Sequence, residues 1–70
     1  MPFDGPNLAR LRGRRRLTQA ALAGRSGLLR EDISRWETGD RQPGAESIVA
    51  LARALRVRVE RVMRFTHRGE

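Results

Sequence analysis

The sequence predicts an all-α domain: five short helices around one small core. Three observations carry that reading. Apolar residues recur at helical spacing, as in Ile48, Leu51, Ala52 and Leu55. Glycine and proline punctuate the chain between such stretches, at Gly27, Gly39, Pro43 and Gly44. The stretch TQAALAGRSGLLREDISRWE, Thr18 to Glu37, reads as two short helices joined by a tight corner. Seventy residues make one domain. A chain of that size buries only about 60% of its unfolded surface, so the core must be thin.

Taken in order, residues 1–5 are expected to form a flexible arm, 6–65 the folded domain and 66–70 a frayed tail. The first helix is expected from Pro6 to Arg15. Asp4 or Gly5 can cap it, and Pro6 suits a first turn, where a missing N–H costs nothing. Leu8 and Leu11 face inward and Leu17 closes the turn. Arg10, Arg14, Arg15 and Arg16 stay solvated, either as an ordinary wet face or as phosphate contacts. Thr18 is a good N-cap for a second helix from Gln19 to Arg25. Ala21 stands where a reciprocal capping box needs Glu or Gln, so half of that device is present. Ala20, Ala21, Ala23 and Gly24 are small enough for close helix approach, and Gly27 sits at the sharp turn.

A third helix is expected from Leu29 or Arg30 to Glu37. Leu22, Leu28, Ile33 and Trp36 supply an apolar seam, whereas Arg30, Glu31, Ser34 and Arg35 form a polar outer face. Gly39 can take the left-handed position after this helix. The fourth helix should span Ala45 to Leu55, with Ile48, Leu51, Ala52 and Leu55 as core. The fifth, Val59 to Arg64, offers Val59, Val62, Met63 and Phe65. Part of it must cover the core, and the remainder could serve as a dimer patch.

Net charge is +7 with pI near 11.8, and all fifteen basic residues are arginine. That field suits a polyanionic partner. The exclusive use of arginine has two readings: bidentate recognition of phosphate and guanine, or a GC-rich coding bias, which is the plainer account. Phe3, Trp36 and Phe65 are the only aromatics. Three are too few for the stacking platforms used on single strands, so duplex DNA is the better partner.

The run Leu11-Arg12, Leu17-Thr18-Gln19, Leu22-Ala23, Ser26-Gly27, Ile33-Ser34-Arg35-Trp36-Glu37, Gly39, Arg41 and Pro43, continued by Leu51-Ala52, Ala54-Leu55 and Val57, resembles the lambda-repressor-like (Cro/cI, XRE) helix-turn-helix family. The resemblance covers about Leu8 to Met63 and implies a compact five-helix DNA-binding domain with a central helix-turn-helix. It implies that the third helix enters the major groove. Base contacts then fall to Leu29, Arg30, Glu31, Ser34 and Arg35, with Leu29 against a thymine methyl and the arginines on guanine. Phosphate contacts fall to Thr18, Gln19, Arg12, Arg41 and Gln42. Trp36 is structural, and Glu37 matches the family acid that pairs with the first-helix arginine, here Arg12. One departure stands out: Leu29 occupies a position usually held by Ser, Thr or Asp as N-cap, a loss of about 0.5–2 kcal/mol. Glu31 and Asp32 partly offset it through the helix dipole. Near DNA they would repel phosphates, so they either read cytosine amino groups, pair with Arg30 or Arg35, or mark a domain not optimised for DNA.

Catalytic chemistry finds no support. His67 is the sole histidine and lies in the tail, and there is no cysteine. Gly24 and Gly27 belong to the helix corner rather than to a phosphate loop. No cofactor, metal or small-molecule ligand is expected. Membrane association is not expected either, since no apolar run approaches about 20 residues. The expectation is a cytoplasmic, nucleoid-associated regulator of bacterial or phage type, most simply a repressor on duplex DNA. A homodimer would favour an inverted-repeat operator. The alternative is a protein-interaction module, such as an antitoxin or anti-regulator; binding of structured RNA through charge is a third reading.

Overall fold

A computed structural model describes residues 3–63, which form five helices: α1 (Gly5–Arg14), α2 (Gln19–Ser26), α3 (Arg30–Thr38), α4 (Ala45–Leu55) and α5 (Val59–Val62). Helix α1 packs against α3 and α5, α2 against α3 and α4, and α4 against α5. Leu8, Leu22, Ile33, Leu51, Leu55 and Val62 are fully buried where these helices meet. Trp36 closes the core beside α1 and is 6% exposed. Leu17, Leu28 and Val59 pack at its margin, whereas Met63 is exposed.

Several helix ends fall where the sequence makes ending cheap, and others do not. Asp4 caps α1: its Oδ1 accepts from the Asn7 N–H at 3.1 Å, and proline occupies the first turn. Thr18 caps α2, its hydroxyl accepting from the Ala21 N–H at 3.0 Å. Gly27 and Gly39 close α2 and α3 in the left-handed region, with φ of 75° and 83°. Helix α4 is closed the same way by Arg56, at φ 58°, a conformation that costs a side-chain-bearing residue about 1–2 kcal/mol. Leu29, Gly44 and Arg58 cap α3, α4 and α5 without any side-chain hydrogen bond.

The N-terminal expectation needs correction. Residues 3–5 are not a loose arm. Helix α1 begins at Gly5 rather than Pro6, Gly5 is buried, and Phe3 packs against the core. The Phe3 N–H donates to Gln42 Oε1 at 2.9 Å, fastening this segment to the loop after α3. Met1 and Pro2 lie outside the described residues, as do Arg64, Phe65 and the tail 66–70. Among the small residues of α2, Ala23 packs against the core but Gly24 plays a different part from the one expected. A Cβ at Gly24 would meet no atom within 4 Å, so this glycine permits no close approach. That role belongs to Gly5. A Cβ there would lie 2.5 Å from the Glu37 carbonyl oxygen and 2.8 Å from its carbon, against unyielding backbone. One more long-range bond completes the frame: buried Asn7 donates from Nδ2 to the Arg61 carbonyl at 2.7 Å, tying α1 to α5.

Two stability outcomes follow. Gly5→Ala should cost about 1–3 kcal/mol through overpacking, seen as a lower midpoint in thermal denaturation. Arg56→Gly should do the opposite. It relieves about 1–2 kcal/mol of backbone strain and adds about 0.5–1 kcal/mol of unfolded-state entropy, for a net gain of about 0.5–1 kcal/mol in urea unfolding. A midpoint that stays put or falls would show that the Arg56 side chain stabilises this corner by as much as its backbone strains it.

Candidate functional site

The candidate site is the outer face of α3 together with the elements that hold it. Helix α3 is amphipathic at the expected period. Ile33 and Trp36 are buried, while Leu29, Arg30, Glu31 and Arg35 are exposed. Leu29 is 63% exposed, the most exposed of the large apolar side chains described. Ser34 and Asp32 are half-buried at the edges of this face. Neither Glu31 nor Asp32 pairs with Arg30 or Arg35; the ion pair among the described residues is that of Arg12 with Glu37. Local pairing therefore does not account for the two acids in the first turn of α3. Their remaining structural role is interaction with the helix dipole, where no side chain caps the N-terminus.

Three elements fix where that face points. At the C-terminal end of α3, the Glu37 side chain is 7% exposed and Arg12 20%. Arg12 Nε donates to Glu37 Oε2 at 2.7 Å and Nη2 to Oε1 at 3.0 Å, a bidentate fork. Its remaining guanidinium nitrogen, Nη1, donates to the Leu17 carbonyl at 2.8 Å. Gln19 adds a third bond to the carboxylate, Nε2 to Oε1 at 3.0 Å. One carboxylate thus joins α1, α2 and α3. These hydrogen bonds, with the attraction of the neighbouring charge, raise the Arg12 pKa against the opposing effect of burial.

The corner between α2 and α3 is clamped by Ser26, whose Oγ donates to the Leu22 carbonyl at 2.7 Å and accepts from the Leu28 N–H at 3.3 Å. Beyond α3, the chain folds back on one carbonyl. That of Arg35 accepts from the Asp40 N–H at 2.9 Å, the Arg41 N–H at 3.2 Å and the Thr38 hydroxyl at 3.1 Å. The backbone of Arg41 is thereby anchored to the last turns of α3, and its side chain is exposed beside the Arg35 face.

Among the candidate residues, Arg30, Glu31, Ser34 and Arg35 share one face of α3, with the exposed N-cap residue Leu29 before it, Arg41 after it, and Thr18 and Gln19 at the start of the neighbouring helix. Three of the candidates also serve the fold: Arg12 bonds Glu37 and Leu17, Gln19 bonds Glu37, and the Gln42 Oε1 accepts from the Phe3 N–H. Sequence reasoning missed Ser26 and Gly5 as positioning residues; the Ser-Gly step before a helix start was the one local signal for the former.

The junction sets a clear expectation. Arg12→Ala leaves a nearly buried carboxylate short of its fork, so it should lower stability by about 3–5 kcal/mol in denaturant unfolding. Leu29→Thr should restore the missing cap and raise stability by about 0.5–2 kcal/mol. An unchanged melting temperature in Arg12→Ala would remove the structural role assigned to that pair.

Comparison with known proteins bears on the whole arrangement. The helix-turn-helix domain family matches residues 5–65. Among solved structures, the restriction-modification controller protein C.AhdI from Aeromonas hydrophila is 34% identical, over 83% of this chain and 88% of that one, with a TM-score of 0.81. The P22 c2 repressor, solved with a synthetic operator, is 27% identical over 90% of this chain and 96% of its own, with a TM-score of 0.79. A hydroxyethylphosphonate dioxygenase is 29% identical over 97% of this chain, at a TM-score of 0.76, but the match covers only 15% of that enzyme. No curated protein matches the chain significantly. The all-helical architecture, the α2–α3 corner and these matches together make the chain a member of the lambda-repressor-like helix-turn-helix family.

Proposed function

We propose that this domain binds duplex DNA with sequence preference and regulates transcription, most simply as a repressor that occludes a promoter. The observation that carries the reading is the exposed face of α3. It offers two arginines, a carboxylate and an apolar side chain on one helix whose opposite side is locked into the core. A helix so held can lie in a major groove and present donors, an acceptor and a methyl-contacting group to base edges. Arg30 and Arg35 are assigned to guanine, Leu29 to a thymine methyl, and Glu31 to a cytosine amino group, with Ser34 beside them. Thr18, Gln19 and Arg41 are assigned to flanking phosphates, where they fix register rather than sequence. Gln42, exposed beside Arg41, is assigned to a phosphate through its amide NH2, whereas Arg12, most of whose donors are taken by Glu37 and Leu17, serves the frame with Glu37. The controller and repressor neighbours support the reading as a DNA-binding regulator. The dioxygenase match speaks to a shared domain rather than to that enzyme's chemistry, and a non-catalytic role is the reading adopted.

No helix among the described residues is long and apolar enough to cross a membrane. A cytoplasmic, nucleoid-associated protein fits the proposal. If the domain dimerises, its operator should be an inverted repeat with half-sites about 10 bp apart or a multiple of that spacing. A second reading has one observation in its favour. Glu31 is exposed and unpaired on the very face that would meet phosphates, which suits a basic protein partner.

Selection from random duplex DNA separates the two. A preferred sequence should emerge, and Arg35→Ala should then lose about 1–3 kcal/mol of discrimination at one base position with the fold intact. Affinity falling equally for all sequences would move Arg35 to a phosphate. A selection that enriches nothing would sink base reading and leave the protein-partner reading.

A further inference from the structure

The positive charge of the chain does not sit on α3. Between Leu29 and Gln42, three arginines face four carboxylates, one of which, Glu37, is already taken by Arg12. The reading surface is therefore close to neutral. The arginines gather instead where the C-terminal end of α1 meets the α4–α5 corner. Arg14, Arg15, Arg16, Arg56, Arg58 and Arg61 are all exposed there, and Glu60 is the one acid in those segments. Arg14, Arg15 and Arg61 surround a shallow depression of about 270 Å³ floored by Leu11 and Val57. Helix α3 packs on α1 and α2, whereas α4 packs on α2 and α5, and α5 on α1, so the α4–α5 half of this corner is not packed on the reading helix.

Two features mark the corner as built rather than merely solvated. Arg15 is held in place: its Nε donates to the Leu55 carbonyl at 2.8 Å and its Nη2 to the Arg56 carbonyl at 3.1 Å. Its guanidinium is thus pre-organised, with N–H groups left to donate outward. Arg16 and Arg56, on the two abutting turns, both carry positive φ, 57° and 58°. Glycine would adopt that conformation without the steric cost, and at both places the chain carries a cation instead.

We propose that this arginine corner is a second nucleic-acid contact, which grips the phosphate backbone of duplex DNA without reading sequence. Six guanidinium groups spread over abutting helix ends match a string of phosphates, each able to take a bidentate fork. The near absence of acids among them suits a polyanion of uniform charge. Because Arg56, Arg58 and Arg61 belong to elements that do not pack on α3, one folded domain could hold two duplex segments, one in register and one by charge alone. This deepens, and for the bridging step rests on, the reading of α3 as the base-contacting helix.

The test uses the full chain and three exposed positions outside the α3 assignment. Arg14→Gln, Arg58→Gln and Arg61→Gln are combined, with the corresponding triple lysine variant as a control that keeps charge. Binding to a non-specific duplex is followed by fluorescence anisotropy across salt concentrations. Removing three phosphate contacts should reduce the slope of log affinity against log salt by about 2–3, and weaken binding more than tenfold at about 0.1 M salt, while the lysine variant stays near wild type. In a second arm, beads carrying unlabelled duplex should retain a labelled duplex through wild-type protein and not through the glutamine variant. The sequence enriched from random DNA should be the same for both. An unchanged salt slope overturns the proposal, and so does retention that survives the triple glutamine change, since bridging would then arise from two α3 faces of a dimer. Displacement by poly-glutamate as effective as that by duplex of equal charge overturns it in favour of an acidic protein partner. If selection enriches no sequence while the salt slope still drops, base reading by α3 fails and the arginine corner stands.

Discussion

The structure depends on one carboxylate. Glu37 is nearly withdrawn from water, and an ion in that position is costly unless its lone pairs are matched. Arg12 and Gln19 supply the match with three hydrogen bonds. The consequence reaches beyond stability. Helix α3 has nine residues, well under the roughly 12–15 at which an isolated helix becomes marginally stable, and no side chain caps its start. Its existence and its direction must therefore come from tertiary contacts. The Glu37 junction supplies them at one end, the Ser26 clamp at the corner before it, and the buried Ile33 and Trp36 between.

The same requirement explains Gly5. Bringing Arg12 within reach of Glu37 forces the first turn of α1 against the carbonyls of Trp36 and Glu37, at a separation that leaves no room for a Cβ. Phe3 then falls onto the core and its N–H onto Gln42, so the loop after α3 is secured from the N-terminal side as well as by the Arg35 carbonyl. A single, largely buried charge pair thus dictates residue size at the opposite end of α1 and fixes the segment that carries Arg41.

What the sequence revealed and what it concealed divide along the range of the interactions. Features set within a few residues were legible. The Thr18 cap, the left-handed closure at Gly39 and the limits of α4 all follow from local rules, and the structure holds them where those rules put them. Family resemblance supplied the pairing of Arg12 with Glu37, which spans 25 positions and which no periodicity could indicate. Features set by approach between distant segments were hidden. Gly24 looked like a contact glycine because it lies in the helix corner, yet its neighbourhood is open. Gly5 looked like part of an arm because nothing nearby in sequence shows that α3 ends against it. Asn7 offered no signal for its bond to Arg61, 54 positions away.

Net charge presented a subtler difficulty: its total was legible and its location was not. A value of +7 suggested a polyanionic partner without saying which surface meets it; six of the arginines gather where α1 meets the α4–α5 corner, whereas α3 itself carries exposed acid. On the proposed function this separation has a physical advantage. Positive charge at the reading face strengthens specific and non-specific complexes alike, because phosphates are the same everywhere. Discrimination is the ratio of the two, so a carboxylate on α3 raises it only by accepting from a base edge, while its repulsion of phosphates lowers absolute affinity. Attraction to the polyanion can then be supplied by a surface that does not touch bases. Affinity and specificity, which one patch must trade against each other, would in this small domain reside on different surfaces of the same core.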